Sequence, residues 1–323
     1  MFFTTGWRGA GMQWLGALLD SCATVRRAGY TIYPESSRLH RWRRMRFWLR
    51  SLVCWRATSV WLKRCTTAPL LDLVRRHPST LERMHRPFLH AAFGPHERLA
   101  ASLDHYAFVQ QRVPLLASRI AAEGRAQIAR FSVGAEDWSV SLESTERFQR
   151  EGEWTVCIRD ALDRCVVSCT FSIAYLGGKV CRPRMWIGSV QGPSKAVNGR
   201  ELFRALTKRW HGLRPKFLVI YLAQCVARTL DVRGTFIVSK RAHIYANWRY
   251  WLRKSRVSAD YDGLAREYGA FTSWNGWFVL APPALDLAGR QGNAMRRKRQ
   301  ALKTSVAAQI AETVALSIGQ RDC

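Results

Sequence analysis

The chain has 323 residues, of which 48% are hydrophobic and 23% charged, enough to bury the core of one large domain with appendages. Lys and Arg number 51 against 23 Asp and Glu, so the formal charge is +28 and the expected partners are anionic: lipid headgroups, phosphorylated small molecules or nucleic acid. Nine cysteines without a C-x-x-C pair argue against a disulfide framework and fit a reducing cytoplasm; the histidines form neither H-x3-H nor H-E-x-x-H, so no metal centre is expected.

Residues 1–65 read as a basic, Trp/Arg-rich appendage. The apolar stretch 12–19 is interrupted by Gln13 and followed by Asp20, which disfavours a cleaved leader. Asp20 also fits poorly in the lipoprotein-like box formed by Leu19 and Cys22. From His40 to Arg64, arginines alternate with Trp42, Phe47, Trp48, Trp55 and Trp61. On a helix this sets broad aromatic rings beside cationic heads, the composition of a segment lying in a membrane interface. The same mixture suits RNA through stacking and phosphate contacts, or a surface helix packing its tryptophans on the main domain. Nucleic acid ranks last of the three. No stretch supplies the ~20 apolar residues of a membrane span; residues 217–230 come nearest but are too few and include Gln224 and Arg228.

Residues 66–290 read as an α+β domain. Helical patterning over 70–122 breaks at Pro87 and at Gly94-Pro95, then restarts with Leu99, Leu103 and Tyr106 on one face. From Ala129 the period becomes two. Trp138, Val140 and Leu142, then Trp154, Val156 and Ile158, then Val167 to Tyr175 alternate with polar residues, and Cys165 and Cys169 join the apolar side as small core residues. Short connections between such strands predict an antiparallel meander with one face on a core, turning at 134–137, 160–163 and 176–179.

The richest stretch is 184–245. A buried strand over 185–190 leads into a break at Gln191, Gly192, Pro193 and Ser194. Asn198 with Glu201 three residues on predicts a capping box, Gly212 suits the C′ position of that helix, and Pro215 suits N1 of the next. The second helix, from Phe217, is apolar around most of its circumference and so expected to pack on the sheet. Residues 235–239 predict a central strand, followed by Lys240 to Tyr245 and the basic aromatic run Trp248, Tyr250, Trp251, Arg253 and Lys254. Residues 271–283 read as a closing strand. The tail, 291–323, opens with Arg296 to Arg299 and continues as a docked basic helix with Leu302, Val306, Ile310 and Val314 on one stripe.

Several blocks carry a family resemblance: Glu97-Arg98 with His105-Tyr106; Ile187-Gly188-Ser189-Val190-Gln191-Gly192; Thr207-Lys208 with His211-Gly212-Leu213-Arg214-Pro215-Lys216; and Val238-Ser239 with His243-Ile244-Tyr245. In this order they resemble the bacterial VirK/YbjX family, a domain of unknown function, over about residues 87–283. The resemblance implies a cytoplasmic protein, peripheral on the inner membrane, linked to virulence, envelope integrity and antimicrobial-peptide resistance. It implies no established activity and no catalytic residues. An anionic membrane surface or lipid is the expected partner, with an unidentified protein as a further one.

The element order is also distantly similar to the GNAT acyltransferase fold, which implies an acyl-CoA whose pyrophosphate rests on a helix N-terminus. Under that likeness Gln191, Gly192, Lys208, His211, Arg214, Lys216 and Ser239 would hold the ligand, His243 would act as base and Tyr245 as acid. The segment lacks the Gln/Arg-x-x-Gly-x-Gly/Ala turn of that fold, and two helices rather than one separate the strands. Gly212 and Pro215 are equally explained as helix punctuation, and Gln191, His243 and Tyr245 as groups closing a sheet edge.

Overall fold

The computed structural model describes residues 20–177, 181–193, 198–247, 249–250, 260–283 and 294–318. Ser194, Trp248, Trp251, Arg253, Lys254 and the stretch 12–19 lie outside the described residues, as does the second half of the turn expected at 176–179. The chain divides into two compact units, Met1–Arg86 and Pro87–Cys323, so the first unit extends past residue 65 and the C-terminal tail belongs to the second.

The first unit is helical: α1 (20–32), α2 (Arg38–Val53), α3 (Trp55–Arg64), α4 (Leu70–Arg76) and a 3-10 helix, Pro78–His85. Its core gathers Phe47, Trp61, Leu62, Leu70 and Met84, with Trp61 Nε1 donating to the Thr80 carbonyl at 3.0 Å.

The second unit is built on one eight-stranded sheet in the order β1-β2-β3-β4-β5-β6-β8-β7. After α5 (Pro95–Arg112) and α6 (Pro114–Glu123), the strands β1 (Arg125–Val133), β2 (Glu136–Glu143), β3 (Trp154–Arg159), β4 (Cys165–Ala174) and β5 (Arg184–Gln191) form the expected antiparallel meander. Helices α7 (Gly199–Arg209) and α8 (Pro215–Thr229) then cross over to β6 (Gly234–Val238), which pairs parallel to β5.

Four expectations need correction. The meander does not keep one face wet: β4 is buried from Val166 to Ala174, with α5 and α8 both packed on it. The polar half of the alternation, Ser168, Thr170 and Ser172, is therefore as buried as the apolar half. Asn198 occupies the N-cap position of α7, but at ψ 86° its side chain makes no capping bond, so no capping box forms with Glu201. The left-handed C′ residue is His211 at φ 55°, and Gly212 at φ 81° follows it, donating its N–H to the Thr207 carbonyl at 2.7 Å in the six-to-one bond of a Schellman turn. Finally, the single closing strand is a hairpin, β7 (Ala270–Trp274) and β8 (Trp277–Leu280), turning at Asn275-Gly276, where both φ values are positive as a type I′ turn requires. It follows α9 (Tyr261–Tyr268), a helix with no counterpart among the expected elements.

The tail helix, α10 (Ala294–Ala315), buries Leu302, Val306, Ile310 and Val314, the stripe its spacing dictates. Pro215 stands at N1 of α8.

Candidate functional site

Beyond Ile187↔Ile237 the parallel pairing of β5 and β6 ends, while Ser189 to Gln191 stay paired with β4 alone. A bulge sets Gly188 apart from the ladder between Ser189 and Ile187. Ligand sites in sheets with crossover connections favour this position, at the carboxyl ends of strands where neighbours diverge. Here it is occupied by a polar cluster with Glu151 at its centre.

Glu151 arrives from the connection between β2 and β3. It is held there by backbone proximity: a Cβ on Gly188 would stand 1.9 Å from the Glu151 carbonyl oxygen, and one on Gly152 would stand 2.6 Å from that of Phe171. Only glycine allows either approach. The Glu151 carboxylate accepts from Ser189 Oγ at 2.6 Å and from Gln191 Nε2 at 2.9 and 2.7 Å. Burial nevertheless dominates: it raises the carboxyl from 4.5 to about 7, against the lowering effect of the Ser189 bond, of the Arg147 and Arg150 charges and of the Gln191 bond.

His243 closes the other side. It follows β6 and Ser239, whose carbonyl accepts the His243 N–H at 3.0 Å. Its ring is stacked between Tyr245, 5.5 Å away, and Tyr261, 4.9 Å away. Nδ1 accepts from the Tyr245 N–H at 3.4 Å, which leaves the proton of the neutral ring on Nε2, 3.9 Å from Glu151 Oε1. Burial lowers this imidazole to about 4. Tyr261, first residue of α9, shares a hydrogen bond with the backbone of Val190, and burial pushes its hydroxyl well above the usual range. Ser239 Oγ is buried without a hydrogen-bond partner among the described residues.

The candidates from sequence thus fall into two groups. Gln191 and His243 meet at Glu151, with Tyr245 stacked on the His243 ring, Ser239 joined to His243 through its backbone, and Gly192, next to Gln191, against the Phe203 ring. Lys208, His211, Arg214 and Lys216 belong to the joint between α7 and α8. Lys208 is exposed there, and Arg214 is ion-paired with Glu267 of α9. The His211 carbonyl accepts from Arg299 Nε at 3.2 Å. Lys216 is half-buried; desolvation lowers its pKa and the Asp260 charge raises it. Sequence reasoning missed Glu151. Its signal is the pair Glu151 and Glu153 around Gly152, two acids in a chain poor in them, just before an apolar strand. Glu153 is buried too and accepts from Ser102 Oγ and Tyr106 OH of α5 at 2.8 Å each.

In the first unit, α2 has an unusual orientation. At 100° per residue, Phe47 and Ser51 mark its buried side. The opposite side carries Trp42, Met45, Leu49 and Val53, exposed by 50, 53, 51 and 87%. Arg41 and Arg46 flank them, the latter with its guanidinium 4.6 Å from the Trp42 ring centroid, and Arg38 lies on the same side one turn before Trp42.

The family described as "Protein of unknown function (DUF535)" matches residues 36–312. The chain belongs to this family, the VirK/YbjX family. The match begins before α2 and runs into α10, so the basic aromatic helix is part of the family region rather than outside it. The chain is similar to "Uncharacterized protein YbjX" of Escherichia coli, 30% identical over 70% of this chain and 68% of that protein. It is also similar to an "Uncharacterized protein" of Haemophilus influenzae, 23% identical over 76% of this chain and 80% of the relative. No solved structure matches. Among the described residues, no helix is long and apolar enough to cross a membrane, and no group of His, Cys, Asp and Glu could hold a metal ion.

Proposed function

We propose that this VirK/YbjX protein works at the anionic inner surface of a bacterial membrane, seating α2 in the headgroup layer and binding an anionic lipid there. The observation that carries the reading is the exposed apolar pole of α2 with arginines along both flanks. A helix on an aqueous surface turns its polar side outward; this one also turns Trp42, Met45, Leu49 and Val53 outward, among exposed arginines. Apolar burial to the depth of the headgroups, together with attraction between arginines and anionic lipid, is the physics of interfacial helices. A peripheral location of this kind suits the part in envelope integrity, virulence and antimicrobial-peptide resistance that the family resemblance implies. The test is sedimentation with vesicles containing phosphatidylglycerol. Full-length protein is expected to pellet, and the Trp42→Asp/Leu49→Asp variant to stay in the supernatant. Equal pelleting of both rejects α2 as the contact.

A second reading is supported by the Glu151–His243 pair. A carboxyl near 7 beside a neutral imidazole, where parallel strands diverge, suits proton transfer in a GNAT-like acyl transfer from an acyl-CoA. Under it Glu151, rather than His243, is the stronger base, and Tyr245 remains the candidate acid. Acyl-CoA should then raise the unfolding temperature, and Gln191→Ala should abolish the rise. A flat response across a CoA series rejects this reading.

A further inference from the structure

A cavity of about 700 Å³ lies in the second unit between the start of α8, the end of α9, the end of β8 and the first turns of α10. Its volume is that of a small-molecule site. Among the described residues, four cationic side chains line it, Arg214, Arg296, Arg299 and Lys303, with one carboxylate, Glu267. Glu267 is paired with Arg214. The other contacts of these cations within the cavity include neutral groups: Arg299 Nε donates to the His211 carbonyl at 3.2 Å, and Lys303 Nζ sits 4.3 Å from the Tyr221 ring centroid. The wall beneath them is apolar, made by Phe217, Leu218 and Pro282.

The backbone is shaped to permit this clustering. His211 and Gly212 both take positive φ at the turn between α7 and α8, and a Cβ on Gly212 would stand 2.8 Å from Arg299 Nη2. The bare Gly212 therefore leaves the space in which Arg299 reaches the turn. Like charges brought to one concave surface repel, and an anion there relieves the repulsion while meeting guanidinium donors in their preferred forked geometry.

We propose that this cavity binds a phosphate-bearing ligand, its phosphate held by Arg296, Arg299 and Lys303 and its apolar portion lying on Phe217 and Leu218. Arg214, already paired with Glu267, frames the site. The proposal does not rest on α2 meeting a bilayer, nor on chemistry at Glu151.

Isothermal titration of the full-length protein at physiological ionic strength tests it with four probes: phenyl phosphate, monomeric dihexanoyl phosphatidic acid, inorganic phosphate, and phenol as the uncharged control. Saturable binding of at least one organic phosphate is expected, stronger than that of inorganic phosphate, with none for phenol. Preference for phenyl phosphate identifies a soluble ester as the source of the phosphate, and preference for phosphatidic acid a lipid headgroup; either supports the site. Arg296→Gln/Lys303→Gln should weaken the preferred probe about tenfold or more. Arg297→Gln, an exposed charge outside the cavity, should leave it unchanged. Because Arg296 is exposed, Arg296→Gln alone gives a folded comparison that should show a smaller loss in the same direction. Absence of saturable binding for both organic phosphates overturns the proposal, as does equal weakening in Arg297→Gln or full retention in the double variant.

Discussion

Gln191 directs its side-chain amide to both carboxylate oxygens of Glu151, at 2.9 and 2.7 Å, bridging the end of β5 to the connection that precedes β3. This contact ties together two segments 40 residues apart and leaves Glu151 facing His243 across 3.9 Å. The two titrating groups are shifted in opposite senses by the same cause, loss of water.

The pH dependence of stability follows from those shifts. Glu151 titrates at about 7 when folded and 4.5 ordinarily, so folding takes up a proton between these values. Its contribution falls as pH rises from 4.5 to 7 and stays low above, by about 3 kcal/mol. His243 titrates at about 4 when folded and 6.5 ordinarily, so its contribution rises from pH 4 to 6.5. The slopes oppose each other through the shared window, and above 6.5 the Glu151 slope stands alone. Glu151→Gln removes the falling limb. Urea unfolding at pH 5, 6, 7 and 8 should therefore show the variant gaining on the wild type as pH rises. A difference constant with pH would contradict the assignment.

Gln191→Leu deletes two donors to a buried carboxylate and should destabilise the protein by about 1–3 kcal/mol at neutral pH. The same change made in Glu151→Gln should cost less, since a neutral amide needs its partners less. A double-mutant cycle with no coupling energy would show that the bridge is energetically idle.

Gly188→Ala places a methyl carbon 1.9 Å from the Glu151 carbonyl oxygen, a backbone atom that no rotamer change can move. A loss at or above the upper end of the ~1–3 kcal/mol seen for overpacking is expected, read as a lower urea midpoint. Gly134→Ala makes a contrasting control: nothing lies within 4 Å of its Cβ, so its cost is the backbone strain of φ +64° alone.

His211→Gly should be neutral or stabilising by up to about 1 kcal/mol, because His211 holds a left-handed φ of 55° that glycine adopts freely. Thermal unfolding checks it. A marked loss would mean that the His211 side chain holds the turn, in addition to its carbonyl.

Leu49→Glu and Val53→Asn lie on the outward side of α2 and should change stability by less than about 0.5 kcal/mol while abolishing vesicle binding. Loss of stability in either would show that the exposed side is packed.

The local signals were legible where one physical rule acts alone. The stripe of Leu302, Val306, Ile310 and Val314, one residue every four, identifies α10, and the two-residue alternation identifies β2 to β4. The buried polar half of β4 was not legible, because Ser168, Thr170 and Ser172 read as solvent-facing unless the covering helix is known. Glu151 escaped for a related reason: its role comes from two glycines, Gly152 and Gly188, whose neighbours lie elsewhere in the sequence. Asn275-Gly276 is a short-range hairpin signal, but its unequal and largely exposed flanks were merged into one strand. The joint at His211 to Lys216 read as a single cationic cluster, whereas Arg214, Lys216 and the His211 carbonyl face Glu267, Asp260 and Arg299 respectively.

One detail of α10 bears on how the chain survives its own synthesis. β1 is an edge strand, and an open edge is a template for unwanted pairing. Gln309 meets it as a neighbouring strand would: its Oε1 accepts the Arg130 N–H and its Nε2 donates to the Arg130 carbonyl, both at 2.9 Å. That plug is made more than 170 residues after the strand it seals. Throughout that interval a nascent chain on the ribosome carries a raw β1 margin, open to its neighbours on the same polysome.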